Sequence, residues 1–353
     1  MLPPDRALQA WEELRDHSDV LDKTDQATFR MLPMVYWNLR NTGLEDPALQ
    51  LLRGAYRQSW LRTRLVLRSA QTVIGHLRAA GVEPVALKGS ALLATAYAET
   101  ALRPMHDVDL LIPPGQFVRA FDALESAGWR PLRGSRSQYF STLRSFHALP
   151  VIGPDNVETD LHRHMLEEDC YRGADARMLA RLQQAELEGV RLTVPSLEDQ
   201  VINACVHGVR WDPVPPLRWV LDVVMAVRVA DAGFDWAYLE GESLERRVSL
   251  AMAAALGFAR EFEPSIPEST IETLTHAAHG RLERVDFVLQ QREYSASAQV
   301  GRYVTRYLRL SSHRSFRRKV GGFPSYLAAM WELEDPRNVP REGMRRVWAA
   351  LRR

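Results

Sequence analysis

The chain has 353 residues, of which 46% are hydrophobic and 25% charged, with a formal net charge of +1. That apolar content excludes a largely disordered polar chain. Two cysteines, Cys170 and Cys205, without a CxxC or Cys/His spacing, exclude a disulfide scaffold and a cysteine-ligated zinc site. The length suits two domains or three small ones.

The longest apolar run, residues 248–259, is broken by Ser249 and Gly257 and falls short of the ~20 residues a membrane helix needs. Acids near the start occupy positions where a signal peptide would be apolar. A cytoplasmic protein without membrane attachment is the expectation. Only Lys23, Lys88 and Lys319 among the 45 basic residues are lysine, a bias that a GC-rich genome or phosphate binding would each explain. Residues 301–353 carry 13 basic and 4 acidic side chains, an asymmetry that can mark a polyanion-binding tail.

In chain order, residues 5–80 read as helical. Trp11, Leu14, Leu21, Phe29, Leu32, Val35 and Leu39 recur at helical spacing, with Pro33 at a helix start. Residues 46–80 read as one long amphipathic helix, capped by Asp46 and Gly81. Its apolar face is expected along Leu49, Leu52, Tyr56, Trp60, Leu65, Ala70, Val73 and Leu77.

The pattern then shifts to a β-α-β-α-β-β module. Residues 83–88 form a short apolar strand, followed by Gly89-Ser90 and a helix. Residues 107–112 form a second strand, ended by Pro113-Pro114, and a helix follows over 116–127. Residues 146–152 and 157–161 form a hairpin around Gly153-Pro154-Asp155-Asn156. After Glu167 the helical pattern returns. Ser196 and Asp199 have capping-box spacing, Pro213, Pro215 and Pro216 break a helix, and further helices are expected near 217–229, 234–263, 267–292, 298–312, 323–334 and 341–352.

Three features of this module belong together. Gly89-Ser90 sits between strand and helix, where glycine admits a phosphate and free helix amides favour anions. Asp107 and Asp109, two apart on a strand, share a face and repel unless a cation such as Mg²⁺ lies between them. The strand 157–162 places Glu158, Asp160 and His162 on one face, and Asp160 can complete a two-metal site and help take a proton from an incoming hydroxyl. The strand 107–112 looks internal, and buried carboxylates without partners are costly.

At LKGSALLATAY, RPMHDVDLLI, VETDLHRHM and, further on, VHG and PLRWVLDVV, the sequence resembles the nucleotidyltransferase superfamily of DNA polymerase beta. Within it, the closer resemblance is to the bacterial uncharacterised nucleotidyltransferases. It is specific over residues 84–165 and looser to about 230. It implies an α+β fold: a small mixed sheet over residues 82–166, flanked by helical regions 1–81 and 167–353, the whole predominantly helical. It implies metal-dependent transfer of a nucleoside monophosphate from an NTP, with release of pyrophosphate and with two Mg²⁺, or Mn²⁺ in their place. Carried across by position, Gly89 and Ser90 would hold the triphosphate, Asp107 and Asp109 would bind both metals, and Asp160 would complete the second site. The gap from Ser90 to Asp107 exceeds the usual spacing and reads as a subfamily loop.

Lys88 beside the phosphate loop is either a phosphate or metal-site contact or an ordinary strand-end lysine. Arg103 is either a triphosphate contact or a surface arginine. His162 either orients Asp160 or a substrate, or is structural; His106 and His164 read as structural. His207, Trp219 and Asp222 would line an acceptor pocket between domains, or else pack helices. In residues 301–319 arginines alternate with Tyr303, Tyr307 and Phe316, as in RNA-binding segments; packed as a helix, Tyr303, Val304, Tyr307, Leu308 and Leu310 would face the core with arginines outside. The acceptor implied is a hydroxyl or phosphate of a small molecule, peptide or protein, in natural-product or surface-polysaccharide biosynthesis. The alternatives are an RNA acceptor and a non-catalytic, toxin–antitoxin-like binding protein.

Overall fold

In a computed structural model, which describes residues 2–17, 25–143, 145–171, 173–214, 216–293, 295–312, 315–333 and 335–351, helices predominate around one mixed sheet. Leu21, Lys23 and Pro215 lie outside the described residues.

The long helix runs Ala48–Ala79. Asp46 accepts from the Ala48 amide and from the Trp11 indole, fixing the start. Gly81, with φ +74°, lets the Gly81 and Val82 amides reach back to Arg78 and Leu77 and ends the helix. Its buried stripe keeps Leu52, Ala70, Val73 and Leu77 of the expected face and departs from it between them. Leu52, Ala55, Ser59, Thr63, Val66, Ala70, Val73 and Leu77 are buried at near-perfect 3.6-residue spacing, whereas Trp60 and Leu65 are exposed. The stripe passes through small polar residues because the chain beyond residue 99 packs tightly there. Ser59 donates to the Ala101 carbonyl (2.7 Å), and Thr63 Oγ1 accepts from the Met105 amide (3.3 Å). Each such bond contributes about 1 kcal/mol and anchors the segment leading to Asp107.

Among the described residues seven strands form the sheet: β1 Val85–Ala86, β2 Val108–Leu111, β3 Arg130–Pro131, β4 Ala148–Ile152, β5 Glu158–His162, β6 Gln183–Leu187 and β7 Val190–Val194, in the order β3-β4-β5-β2-β1-β7-β6. β2 and β5 are parallel with Asp109 opposite Asp160, and β1 is antiparallel to β2 and parallel to β7. β2 is buried throughout, as its apolar sequence requires.

The β6–β7 hairpin corrects the helical expectation after Glu167 and carries the sheet to residue 194, past the boundary read at 166. Gln, Ala, Glu and Leu in β6 are helix formers, but Glu188 and Gly189 both take positive φ (50° and 78°), the geometry of a tight hairpin turn.

Helices Leu197–Gly208 and Arg218–Ala230 then pack against each other and against the helix Lys88–Thr95. Later helices include Trp236–Glu245, Ser249–Ala259, Ala296–Leu310 and Phe316–Met330. In Ala296–Leu310 the expected arginine-out arrangement is partly inverted. Val304 and Leu308 are exposed, while Arg309 is buried against Asp286 (2.9 Å) and Arg306 pairs with Glu167. The acids exist elsewhere in the chain, so burial of these arginines depends on tertiary partners. No described helix is long and apolar enough to cross a membrane.

Candidate functional site

A cavity of 590 Å³ opens where the ends of β1 and β2 meet the helices Leu197–Gly208 and Arg218–Ala230. The Lys88–Thr95 helix begins immediately after β1, and Lys88 takes φ +47°, a left-handed conformation rare for a side chain of that size. From there its ammonium donates to Asp109 Oδ1 (2.6 Å). Lys88 is thus a partner of the site carboxylates and not a free strand-end lysine.

Asp109 is buried on β2. His162 Nε2, fully buried on the neighbouring β5, lies 2.9 Å from the same Oδ1. A carboxylate only accepts, so Nε2 carries the proton. Both donors converge on Oδ1, and among the described residues no hydrogen bond reaches Oδ2. Burial raises the Asp109 pKa, but Lys88 and His162 outweigh it and hold the group ionised, well below the usual carboxylate range.

Asp160 stands beside Asp109 across the β2–β5 pair. Ligand atoms of Asp109, Asp160 and His162 lie within 4.8 Å of one another. Asp107, one residue ahead of β2, is exposed to the cavity. Burial and the Asp109 charge raise the pKa of both Asp107 and Asp160. Three carboxylates crowd one corner, and the hydrogen bonds of Lys88 Nζ and His162 Nε2 among the described residues go to Asp109. An all-oxygen donor set with surplus negative charge fits a hard divalent cation such as Mg²⁺. His162, its Nε2 proton already engaged, is better placed to orient Asp109 than to ligate.

Arg103 is buried, contrary to a surface role. Its Nε and Nη2 grip Asp222 at 2.8 and 2.9 Å, and the Tyr97 hydroxyl adds a third bond to Asp222 (2.7 Å). This clasp ties the segment before β2 to the Arg218–Ala230 helix. It also explains Gly89: a Cβ there would sit 2.6 Å from Arg103 Nη1 and 3.1 Å from the Met105 side chain. Gly208 is explained the same way, since a Cβ would run into the Trp219 ring. His207, Trp219 and Asp222 all line the cavity. Burial, with Arg210 and Lys88 nearby, drives the His207 pKa well down, so its imidazole is neutral.

Ser90 departs from its expected place. The helix starts at Lys88, and each further residue turns about 100° around the axis, so Lys88 and Gly89 face the cavity while Ser90 turns away. Its hydroxyl donates to the Leu87 carbonyl, and it packs beside Val108 and Leu110. His164 bonds to Asp175 (2.9 Å) and is structural.

Sequence reasoning missed Arg30, Asn203, Arg210 and Arg218, which also line the cavity, and it read His106 there as structural. Arg218 lies one turn before Asp222 on the same helix face, within the stretch that carried the resemblance, so its position was legible. Arg30 is far from every motif and carries no local signal.

No curated protein matches this chain in sequence. Among solved structures, the solution structure of the antibiotic-resistance factor ANT(2″)-Ia matches at 16% identity and TM-score 0.33, covering 55% of this chain and 98% of that one. Residues 26–264, about two thirds of the chain, match the model of a nucleotidyltransferase family, and these residues include Asp107, Asp109, Asp160 and every cavity-lining side chain named above. The chain therefore belongs to the uncharacterised nucleotidyltransferase family.

Proposed function

We propose that the protein is a Mg²⁺-dependent nucleotidyltransferase that moves a nucleoside monophosphate from an NTP to a hydroxyl or phosphate of a small-molecule, peptide or protein acceptor. The observation that carries this reading is the in-register pair Asp109–Asp160 with Asp107 at the cavity mouth. Asp107, Asp109 and Asp160 are the residues that would hold the metal. When bound, Mg²⁺ neutralises phosphate charge and favours in-line displacement.

The chain's own groups supply the rest. Lys88 and His162 keep Asp109 ionised and oriented. Asp160, more basic than an ordinary aspartate, is suited to take the acceptor's proton. Gly89 gives room for the Arg103 guanidinium, which packs over it at the cavity wall. Neutral His207 and the flat Trp219 ring offer the acceptor side a hydrogen-bonding group and a stacking face. The burial of Arg306 and Arg309 in ion pairs favours a packing role for that helix over RNA capture.

A thermal-shift panel of the four NTPs, with and without Mg²⁺, tests this on the wild type and on Asp107→Asn/Asp109→Asn. A ligand that binds only the folded state raises the melting temperature. A Mg²⁺-dependent rise with at least one NTP, lost in the double variant, is expected. No rise with any NTP, while the protein is folded, would overturn the reading.

A further inference from the structure

The cavity wall also carries a second cluster, two arginines and a histidine, of which only Arg30 lies outside the stretches that carried the resemblance. Arg30, at the end of the short helix Gln26–Phe29, and Arg218, first residue of the Arg218–Ala230 helix, both line the cavity with His106. Among the described residues neither arginine has a carboxylate at ion-pair distance. Arg218 Nη1 donates only to the Pro104 carbonyl (3.1 Å). Asp222 is near, but its oxygens are held by Arg103 and Tyr97. Arg30 Nε and His106 Nδ1 are buried and have no hydrogen-bond partner among the described residues.

These cations are near enough to oppose one another. Burial, then Arg103 and Arg30, push the Arg218 guanidinium down to about 10. Most arginines elsewhere in this chain that line a buried wall have an acid beside them, as Arg103, Arg210 and Arg309 do. Buried like charges with orphaned N–H groups are costly unless an anion completes them. The guanidinium fork matches phosphate oxygens, and several such donors around one opening match a chain of phosphates better than a single carboxylate. The charge of Arg218 also reaches Asp107, so an anion held here would end beside the carboxylate corner.

We propose that Arg30, His106 and Arg218 form an oligophosphate-binding site that receives the triphosphate of the donor nucleotide, in the place expected of Ser90. This rests on the nucleotidyltransferase reading. The N-terminal region then belongs to the substrate site through Arg30. It also makes the cavity mouth repel polycationic molecules.

Isothermal titration with inorganic tripolyphosphate, and separately with each NTP and its nucleoside monophosphate in the presence of Mg²⁺, tests the site. The proteins are the wild type, Arg30→Gln, Arg218→Gln, the double variant and the conservative Arg218→Lys, with circular dichroism to verify folding. Each glutamine should weaken tripolyphosphate and NTP binding about tenfold and the pair about a hundredfold, while monophosphate affinity falls less than about threefold. Arg218→Lys should recover part of the loss. Unchanged tripolyphosphate and NTP binding in a folded double variant would overturn the proposal and leave the enzymatic reading standing. If the wild type binds tripolyphosphate and loses it in the double variant but binds no NTP, the oligophosphate site stands and the donor assignment fails with the enzymatic reading. No tripolyphosphate or NTP binding by the folded wild type would overturn both.

Discussion

Arg103 and Asp222, 119 residues apart, are joined by two charge-assisted bonds in the interior, at 2.8 and 2.9 Å. The pair connects the segment that delivers Asp107 to the helix that carries Arg218 and Trp219. The two sides of the cavity are thereby tied together. It also holds the Arg103 guanidinium over Gly89, where any side chain would collide with it.

Removing one partner leaves a buried charge alone. Asp222→Ala should cost about 3–5 kcal/mol of folding stability, the range for breaking a buried ion pair from one side. The Tyr97 hydroxyl loses its acceptor as well. Urea denaturation would show the loss as a lower midpoint; a change under 1 kcal/mol would mean that Arg103 finds another partner.

The carboxylate corner separates function from stability. Asp107→Asn removes a charge that repels Asp109 and that burial disfavours, so the melting temperature without ligand should not fall. The Mg²⁺-dependent shift with NTP should disappear. Asp109→Asn should abolish that shift too and lower nucleotidyl transfer by at least about 10²–10³-fold, as when a group stabilising transition-state charge is lost. It also strips Lys88 and His162 of their shared acceptor, so its melting temperature should drop. Equal melting losses in both variants would contradict this division.

Asp199, fully buried at the start of the Leu197–Gly208 helix, gives a pH signature. Burial raises its pKa to about 6, against the ordinary 3.8, despite bonds from Ser196 and Tyr238. A raised folded-state pKa means that the folded protein binds a proton more tightly than the unfolded one. This residue therefore adds stability as pH falls from about 7 through 6 toward 4, by up to about 3 kcal/mol. Asp199→Asn should be more stable than wild type at pH 8 and should flatten that part of the profile. Denaturant midpoints of both proteins between pH 4 and 8 check the sign.

The contact of Gly208 with the Trp219 ring predicts a steric effect. Gly208→Ala raises helix propensity by about 1 kcal/mol, yet forces the ring away. Overpacking at such a site costs about 1–3 kcal/mol or more, so the net change should be destabilising. Because Trp219 lines the cavity, its fluorescence should change in the same variant. A more stable variant with unaltered emission would show that the two helices can separate freely.

Much of the site was legible because its signals are local. Residues 107–112 show an apolar strand interrupted by two carboxylates, and the Gly153–Asn156 turn imposes a hairpin that returns Asp160 to the same sheet. Alternation along each strand then dictates which side chains share a face. Ser90 was misplaced because the helix starts three residues earlier, at Lys88, and a shift of one residue rotates a helical side chain by about 100°. The β6–β7 hairpin was read as helix because its composition favours helix, while the turn geometry at Glu188 and Gly189 won.

By itself, then, the sequence determined the order of β1, β2, β4 and β5 and the alternation that sets Asp107 in line with Asp109 and Asp160 beside it, since these depend on spacing within a few residues; it did not show β3, β6 or β7. Only the tertiary structure decided who neutralises whom. Lys88 and His162 meet on Asp109, Arg103 closes on Asp222, Arg306 turns inward to Glu167, and Arg30 arrives near Arg218 with no acid at ion-pair distance among the described residues. Charge pairing acts across space between residues tens to hundreds of positions apart, and in a chain so rich in arginine no local pattern distinguishes the guanidinium that meets an acid from the one that does not.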